Sequence, residues 1–506
     1  MSDLGNEQQS WRKEQQSWRK ERRFAVLDPA GEPPESVFGT VYVADELLVD
    51  TGQADPQALE NLRALAERSG WSLVVVDDDE SKVSDILQQS SWPIEREQNA
   101  SQTLRLRLSL ASGGDVVAAT PDAWALLRHA RSTDWGKRGL SLDHVLTTDS
   151  LGLNPFKANP FKANPFKANP FKANPFKANA LTVGVDSYAV PGFGGLQPVT
   201  YLGPEPSRLH PNATRPIVAV LDTGAGQHPW LASAVVAPVL AGGRAIGIEP
   251  GTSPDPESDP SVAEPLDGIF DDAAGHGTFI AGIIRQECPY ALILPIRIAD
   301  GDGIIVEHDL IDALGRLVAF IDGGTKVAVV NLSFSYYHET PDDPTTISQV
   351  AGLLDELRSR DCVIVCSAGN EASPRPTFPA AIPRKDPGRH VSVGALNPSD
   401  RSVALFSNIG DWVDVYAPGV SIVSILPETF QGGLQAGTSD EGHGRRRETL
   451  DVDDFRGGFG VWSGTSFAAP VVAGRIAAKI TAGESPDGAR ASVVTELDAA
   501  DLSRTP

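Results

Sequence analysis

Residues 216–224 read PIVAVLDTG, and this stretch indicates the fold of the larger part of the chain. Its apolar residues follow one another without alternation, so both faces of the predicted strand must be buried. An acidic residue, Asp222, and a turn of small residues end the run. Strands of this kind are typical of a parallel sheet that helices cover on both faces.

The same pattern recurs after residue 214, where each apolar run is followed by a turn of small residues or by a helix-like segment. The runs predict an α/β domain over residues 214–485, with a mostly parallel sheet flanked by helices. The further runs are ALILPIRIAD (291–300), VAVVNLSFS (327–335), CVIVCSAGN (362–370), HVSVGAL (390–396) and VAGRIAAKI (472–480).

Residues 24–150 show a different order of elements. Two helix-like segments separate four strand-like runs, so the order is β-α-β-β-α-β, which is ferredoxin-like. We therefore predict a small α+β domain before the larger one. Its elements are VYVADELLVD (41–50), DPQALENLRALAERSG (55–70), WSLVVVD (71–77), TLRLRLSL (103–110), TPDAWALLRHAR (120–131) and LSLDHVL (140–146).

Two exact repeats lie outside these domains. EQQSWRK occurs twice in a polar tail at 1–23, and NPFKA occurs five times within 151–213. A period of five residues fits neither a helix nor a strand, and each proline disfavours a helical residue before it. We predict that 151–213 is a linker; a binding tract for a protein partner is the alternative. Residues 486–506 are predicted to be a C-terminal tail.

The composition excludes some classes of partner. The chain of 506 residues has 43 basic and 66 acidic residues, a net charge of −23, which disfavours binding to nucleic acid or to anionic membranes. We find no signal peptide and no apolar run long enough to span a membrane. The three cysteines, Cys288, Cys362 and Cys366, show no disulfide spacing and read as core residues. These features predict a cytoplasmic protein.

A candidate nucleophile lies in residues 458–474, GFGVWSGTSFAAPVVAG, which contain Ser463 and Ser466. A serine becomes nucleophilic only with a base, a group that orients the base and a donor for the oxyanion. Asp222 and Asn370 each follow a predicted strand. Because ligand sites lie at the carboxyl ends of parallel strands, these side chains are expected to converge.

The base is expected to be His276, which opens a predicted helix in DDAAGHGTFIAGII (271–284). In the predicted arrangement Ser466 attacks, His276 takes and returns the proton, Asp222 orients the imidazole, and Asn370 donates to the oxyanion. We interpret Ser463 as a structural turn residue.

Four motifs carry a resemblance to a known family: DTG (222–224), GHGT (275–278), SAGN (367–370) and GTSFAAP (464–470). Over about residues 214–482 the chain resembles the subtilisin-like serine proteases, whose triad residues follow the same Asp, His, Ser order. The resemblance implies a subtilisin-like fold and a serine endopeptidase that cleaves polypeptides.

The resemblance also implies where a substrate binds. An extended peptide would add as a strand beside the segment 329–335. Asp272 matches a position that faces a basic substrate side chain in some related enzymes, although a surface carboxylate is the alternative. The predicted binding residues are Ser333, Phe334, Ser335, Ala368, Gly369 and Asp272.

Family members commonly begin with a ferredoxin-like prodomain, so the resemblance implies intramolecular inhibition by residues 24–150. We expect no cofactor and no metal, because 285–301 lacks the longer loop that binds calcium in secreted relatives. The polar insertion at 427–460 would cover the cleft, and its Arg445–Arg447 run is either a self-processing site or an exposed charge run. The loop at 240–266 is expected to be exposed.

Two other functions stay open at this point. In the first, the α/β domain only binds peptides and the NPFKA tract recruits partners; the complete triad argues against it. In the second, the protein is an esterase; the absence of a G-x-S-x-G motif around Ser466 disfavours it.

Overall fold

The structure is a computed structural model of the chain. The predicted tail repeat and the NPFKA repeats lie outside the residues it describes. Those residues are 23–27, 37–50, 52–55, 57–76, 103–111, 119–149, 185–207, 214–237, 239–251, 254–261, 269–341, 348–382 and 387–498.

The chain divides into two compact units. The first consists of Met1–Leu146, Val306–Ala319 and Tyr336–Leu353, and the second consists of Thr147–Ile305, Phe320–Ser335 and Leu354–Pro506. The first unit thus includes two segments from the region that we assigned to the larger domain. The predicted domain limits stay predictions.

The first unit contains an antiparallel sheet in the strand order β5-β2-β4-β3, with β1 paired to β2. Alternate leucines of β4 are buried between half-exposed arginines, and α1 buries one apolar face. Among the described residues the elements follow the predicted order β-α-β-β-α-β, with one further strand before it. The elements are β1 (Phe24–Leu27), β2 (Thr40–Asp50), α1 (Ala58–Arg68), β3 (Trp71–Val76), β4 (Thr103–Leu110), α2 (Ala123–Arg131) and β5 (Leu140–Thr148).

The remaining elements follow in chain order. The strands are β6 (Gln197–Pro198), β7 (Ile217–Asp222), β8 (Leu240–Ala241), β9 (Arg244–Ala245), β10 (Leu292–Arg297), β11 (Ile304–Val306), β12 (Val327–Leu332), β13 (Phe334–Ser335), β14 (Val363–Ser367), β15 (His390–Leu396), β16 (Val415–Pro418), β17 (Ile422–Ile425), β18 (Ser439–Gly442), β19 (Arg445–Glu448) and β20 (Phe459–Trp462). The helices are α3 (His276–Glu287), α4 (Glu307–Asp322), α5 (Ser348–Ser359), α6 (Thr465–Thr481) and α7 (Pro486–Asp498).

The second unit contains the predicted parallel sheet, with six strands in the order β10-β7-β12-β14-β15-β16. Strands β14 and β15 are buried along their whole length, and β7 and β12 are buried at all but one residue each, as their unbroken apolar runs require. Parallel pairing places the carboxyl ends of β7, β12 and β14 at one edge of the sheet. Asp222, Ser333 and Asn370 lie at or just after these ends.

Two buried helices, α3 and α6, pack against each other in the second unit. Gly474 makes the close approach possible, because a Cβ there would lie 2.6 Å from the Cβ of Glu287. Phe279, Phe467 and Trp462 form an aromatic cluster beside this contact, with ring centroids 4.7–5.7 Å apart. The helix that carries the candidate nucleophile is therefore anchored in the core.

The outer parts of the second unit differ in exposure. The insertion at 427–460 includes an antiparallel hairpin, β18 and β19, whose residues are exposed, including Arg445–Arg447. The predicted C-terminal tail begins instead with α7, which buries Ala489 and Val493.

None of the helices in the described ranges is long and apolar enough to cross a membrane.

Candidate active site

Asp222 and His276 form a hydrogen-bonded pair in the second unit. Asp222 ends β7, His276 is the first residue of α3, and the imidazole Nδ1 lies 2.7 Å from Oδ1 of Asp222. The amide of Thr223 donates to the same oxygen across 2.8 Å. A carboxylate can only accept, so the imidazole carries its proton on Nδ1 and leaves Nε2 unprotonated.

The imidazole of His276 is held in one orientation. It is fully buried, with its ring centroid 5.6 Å from that of Trp462 and 5.2 Å from that of Phe467. Gly275 just before it has φ 77°, where a Cβ would lie 2.6 Å from Leu426 Cδ2. Nε2 has no hydrogen-bond partner among the described residues, so it is available to a reacting group.

Glu257 supports this pair and was missed by the sequence analysis. We expected its loop, 240–266, to be exposed, but the Glu257 carboxylate is buried and accepts from Thr223 Oγ1 at 2.5 Å and from the amide of Gly277 at 3.1 Å. Thr278 donates to it through both its amide and its hydroxyl. Burial raises the pKa of Glu257 to about 7, although the threonine hydrogen bonds oppose the rise.

Ser466 lies in the first turn of α6 and is fully buried. Its hydroxyl donates to the main-chain carbonyl of Ser333 across 3.2 Å. The carbonyl of Ser466 would ordinarily accept from the amide four residues later, but that residue is Pro470, which has no N–H. The hydroxyl of Ser333 donates to this carbonyl instead, across 3.0 Å.

The Asn370 side chain is oriented by Thr465. Both the amide and the hydroxyl of Thr465 donate to Asn370 Oδ1, at 3.0 and 2.9 Å. Because Oδ1 is the atom that accepts from Thr465, the other atom of the side-chain amide is Nδ2, which is a donor. Nδ2 donates to the main-chain carbonyl of Asp149 across 2.5 Å, and the amide of Ser466 donates to the same carbonyl across 3.1 Å.

Residues Thr147–Asp149, all in the second unit, lie in the groove as an extended strand. Thr147 and Thr148 pair antiparallel with β13. The amide of Thr148 donates to Gly303 O across 2.9 Å, and the amide of Asp149 donates to Ser333 O across 3.1 Å. The backbone of this segment is thus hydrogen-bonded along both of its edges, to Gly303 on one side and to β13 and Ser333 on the other. The bound segment belongs to the same chain.

The side chain of Asp149 enters a pocket lined by two hydroxyl groups. Ser335 Oγ donates to Asp149 Oδ1 across 2.6 Å, and Ser367 Oγ donates to Oδ2 across 2.5 Å. Gly369 has φ 94°, and a Cβ there would lie 3.3 Å from Ser335 Oγ; its role as a wall of the pocket stays a prediction. Asp149 was not identified from the sequence, because no local motif marks it. Ser367 was quoted only as the first residue of the SAGN motif and not as a binding residue.

The other predicted binding residues have the following positions. Phe334 of β13 pairs with Thr148 in the extended strand Thr147–Asp149. The carbonyl of Ala368 accepts from Thr377 Oγ1 at 2.8 Å. Asp272 is 4% exposed, so the surface alternative is wrong, and its role toward a basic side chain stays a prediction.

Ser463 differs from Ser466 in its contacts. Its hydroxyl donates to Gly194 O across 2.7 Å and accepts from the amide of Ser421 across 2.9 Å. Both hydrogen bonds tie together loops, as expected of a structural serine.

A buried charged cluster lies in the first unit. His144 bonds Glu307 through Nδ1 at 2.5 Å and Glu339 through Nε2 at 2.6 Å. Burial alone would lower the pKa of His144, but the two carboxylates raise it to about 10. His144, His338 and Glu339 have the ligand types for a metal, as do Glu46, Asp143 and His308. However, with metal–ligand distances of about 2.1 Å, atoms 2.6 Å apart are too close to be neighbouring tetrahedral ligands, and they are better described as an ion pair.

Comparisons with known proteins agree with this geometry. A profile of the peptidase S8, or subtilase, family matches residues 213–499, more than half of the chain. Subtilisin NAT from Bacillus subtilis subsp. natto is 28% identical over 238 residues, which cover 45% of this chain and 51% of that protein. An intracellular serine protease from Paenibacillus polymyxa is 28% identical over 277 residues, covering 51% of this chain and 65% of that protein.

Among solved structures, fervidolysin from Fervidobacterium pennivorans, a keratinolytic enzyme related to subtilisin, is similar at 19% identity and a TM-score of 0.46. The match covers 90% of this chain and 57% of that one. The chain spans about half the length of the first curated relatives that it matches.

Proposed function

Because the chain belongs to the subtilase family, we propose that it is a serine endopeptidase that hydrolyses peptide bonds in polypeptides. In this proposal Ser466 is the nucleophile, His276 the general base and acid, Asp222 the group that orients the imidazole, and Asn370 the oxyanion donor. The proposal requires neither a metal nor a cofactor.

One observation supports this assignment above the others. The carbonyl oxygen of Asp149 accepts hydrogen bonds from Asn370 Nδ2 and from the amide of Ser466. Two preorganised donors on one carbonyl oxygen are what stabilises the oxyanion of a tetrahedral intermediate. A protein that only bound peptides would not need a buried imidazole whose Nδ1 is bonded to Asp222 and whose Nε2 is available.

The proton transfer requires a change of hydrogen-bond partner. The hydroxyl of Ser466 now donates to Ser333 O. Catalysis requires this hydroxyl to donate to Nε2 of His276 instead, and the imidazole then accepts the proton as Oγ attacks. Asp222 then stabilises the imidazolium through the hydrogen bond to Nδ1.

We further propose that the N-terminal part of the chain, residues 24–150, inhibits the peptidase. Thr147 and Thr148 pair with the backbone of β13, and the carbonyl oxygen of Asp149 accepts from Asn370 Nδ2. An external peptide therefore cannot bind to these groups at the same time. The test is to add purified residues 24–150 to the active peptidase and to measure whether peptide hydrolysis falls.

A cytoplasmic location is also proposed. Cys288, Cys362 and Cys366 are all buried and form no disulfide, which suits a reducing compartment. Fractionation of the producing cells with an antibody against the chain would test it.

Labelling with a fluorophosphonate probe tests the catalytic proposal. The chain should become labelled on Ser466 once the groove is vacated, and Ser466→Ala should abolish the label. Ser463→Ala is the matched control, because this neighbouring serine bonds only to loop main chain in the contacts described above, and it should still be labelled. A portion of the same preparation that has not been treated with the probe is then given casein. Digestion of the casein distinguishes a peptidase from an esterase. Absence of a label on Ser466 in folded protein from which residues 1–149 have been cleaved and removed would overturn the proposal.

A further inference from the structure

We propose that this site selects an aspartate on the N-terminal side of the bond that it cleaves, through the hydroxyls of Ser335 and Ser367, and that the Asp149–Ser150 bond of its own chain is such a bond. The inference rests on the proposed peptidase function and adds the substrate class. All of the residues that carry it belong to the second unit.

The first step of the argument is that Asp149 sits as the acyl residue of a substrate. Its amide donates to Ser333 O, its carbonyl oxygen receives Asn370 Nδ2 and the amide of Ser466, and the preceding Thr148 is paired with β13. These contacts fix the position of one particular carbonyl against the nucleophile. The bond at that carbonyl joins Asp149 to Ser150.

The second step is that the pocket below this residue suits a carboxylate. The side chain of Asp149 is buried, and each of its oxygens accepts from one serine hydroxyl. Ser335 and Ser367 are themselves 5% and 0% exposed, so no bulk water competes for these hydrogen bonds. A buried carboxylate requires donors of this kind.

The third step concerns competing side chains. An apolar side chain would leave buried hydroxyls of Ser335 and Ser367 without this acceptor, and a lysine or arginine would bring only donors. The site therefore discriminates for the charge of this side chain.

The reaction on the chain itself balances. Ser466 Oγ forms a bond to the carbonyl carbon of Asp149, and the bond from that carbon to the nitrogen of Ser150 breaks. The proton of the Ser466 hydroxyl passes through His276 to that nitrogen. Water then hydrolyses the ester, which leaves a new carboxyl group on Asp149 and restores the Ser466 hydroxyl.

Intact-mass measurement of the purified full chain tests the position of cleavage. We expect two fragments, 1–149 and 150–506, the second beginning with the sequence SLGLN. Ser466→Ala should remain uncut. Asp149→Leu should slow this cleavage about 10- to 100-fold, which corresponds to the loss of hydrogen bonds to a charged group, whereas Asp134→Asn, a change of an exposed aspartate, should not slow it.

Peptides that differ only at the residue before the cleaved bond test the preference. The enzyme should cleave the aspartate peptide with a kcat/KM about 10- to 100-fold above the asparagine, leucine and lysine peptides. Ser335→Ala and Ser367→Ala should each reduce the ratio of the kcat/KM for the aspartate peptide to that for the leucine peptide. Ser359→Ala, on an exposed helix end, is the matched control and should keep the preference.

The outcomes separate the two proposals. If the fluorophosphonate labels Ser466 and casein is digested, but the peptide panel shows no preference for aspartate, the peptidase function stands and this inference is overturned. Fragments that end at another residue also overturn the assignment of the Asp149–Ser150 bond. If Ser466 is never labelled, both proposals fail together.

Discussion

The side-chain amide of Asn370 donates to the main-chain carbonyl oxygen of Asp149 across 2.5 Å, although the two residues are 221 positions apart in sequence. Thr465 holds the amide in this orientation by donating twice to Oδ1. In the proposed reaction this donor is already directed at the carbonyl oxygen, so no reorganisation would be required as charge develops there.

Asn370→Ala should lower kcat for peptide hydrolysis by about 10² to 10³, the loss known for an oxyanion donor of subtilisin. KM should change little, because the donor acts mainly on the transition state. Steady-state kinetics with a chromogenic peptide would measure both constants. Asn61→Ala, on helix α1 of the other unit, is the control, and a wild-type kcat for Asn370→Ala would exclude the assigned role.

The hydroxyl of Ser333 should stabilise the fold because it replaces the helix hydrogen bond that Pro470 cannot make. In a Ser466→Ala background, which prevents self-digestion, Ser333→Ala should lower the free energy of unfolding by about 1–3 kcal/mol. Pro470→Ala should reduce that loss, since its amide can then donate to the carbonyl of residue 466. Urea unfolding of the four chains in this double-mutant cycle measures the coupling. Equal losses in both backgrounds would show that the two groups act independently.

Glu257 should make stability depend on pH. Burial raises its pKa from 4.5 to about 7, so the folded chain binds this proton more tightly than the unfolded chain does. The stability that results is fully present below about pH 4.5 and is lost as the pH rises through about 7. In the Ser466→Ala background, Glu257→Gln should therefore flatten the fall in the free energy of unfolding between pH 5 and 8, by on the order of 2–3 kcal/mol.

The matched control for this change is Glu60→Gln, because Glu60 is exposed on α1. It should leave the pH dependence as in the parent. An unaltered slope for Glu257→Gln would mean that its carboxyl does not titrate between these pH values.

His144 should make the stability of the fold depend on pH in the alkaline range, as Glu257 does near neutral pH. The carboxylates of Glu307 and Glu339 raise its pKa from 6.5 to about 10 against the effect of burial. Its contribution to stability is therefore full below about pH 6.5 and is lost as the pH rises through about 10. In the same background, the melting temperature should fall less between pH 7 and 10 for His144→Phe than for the parent. His129→Gln, an exposed histidine on α2, should behave like the parent.

The sequence was sufficient for the parts of the site that rest on local chemistry. Asp222, His276, Asn370 and Ser466 each stand at the end of a strand or the start of a helix, within short motifs of small residues that allow the backbone geometry. The buried parallel strands were readable because an unbroken apolar run has no solvent-facing side.

Other parts of the site depend on contacts that no local pattern records. Glu257 lies in a loop rich in proline and acidic residues, which reads as exposed, yet it accepts from residues at 223 and 277–278. Asp149 meets Ser335 and Ser367 across 186 and 218 positions. Helix α7 was read as a tail because its apolar face is short, with only Ala489 and Val493 buried.

The covalent continuity between the strand at Thr147–Asp149 and the groove that holds it has a kinetic consequence. A segment tethered in its own site does not need to meet a second molecule, so its first turnover is unimolecular. The half-time for maturation is then the same in a dilute and in a concentrated solution, and one copy cannot hasten another. The time at which each polypeptide is cleaved would depend only on when that polypeptide folds.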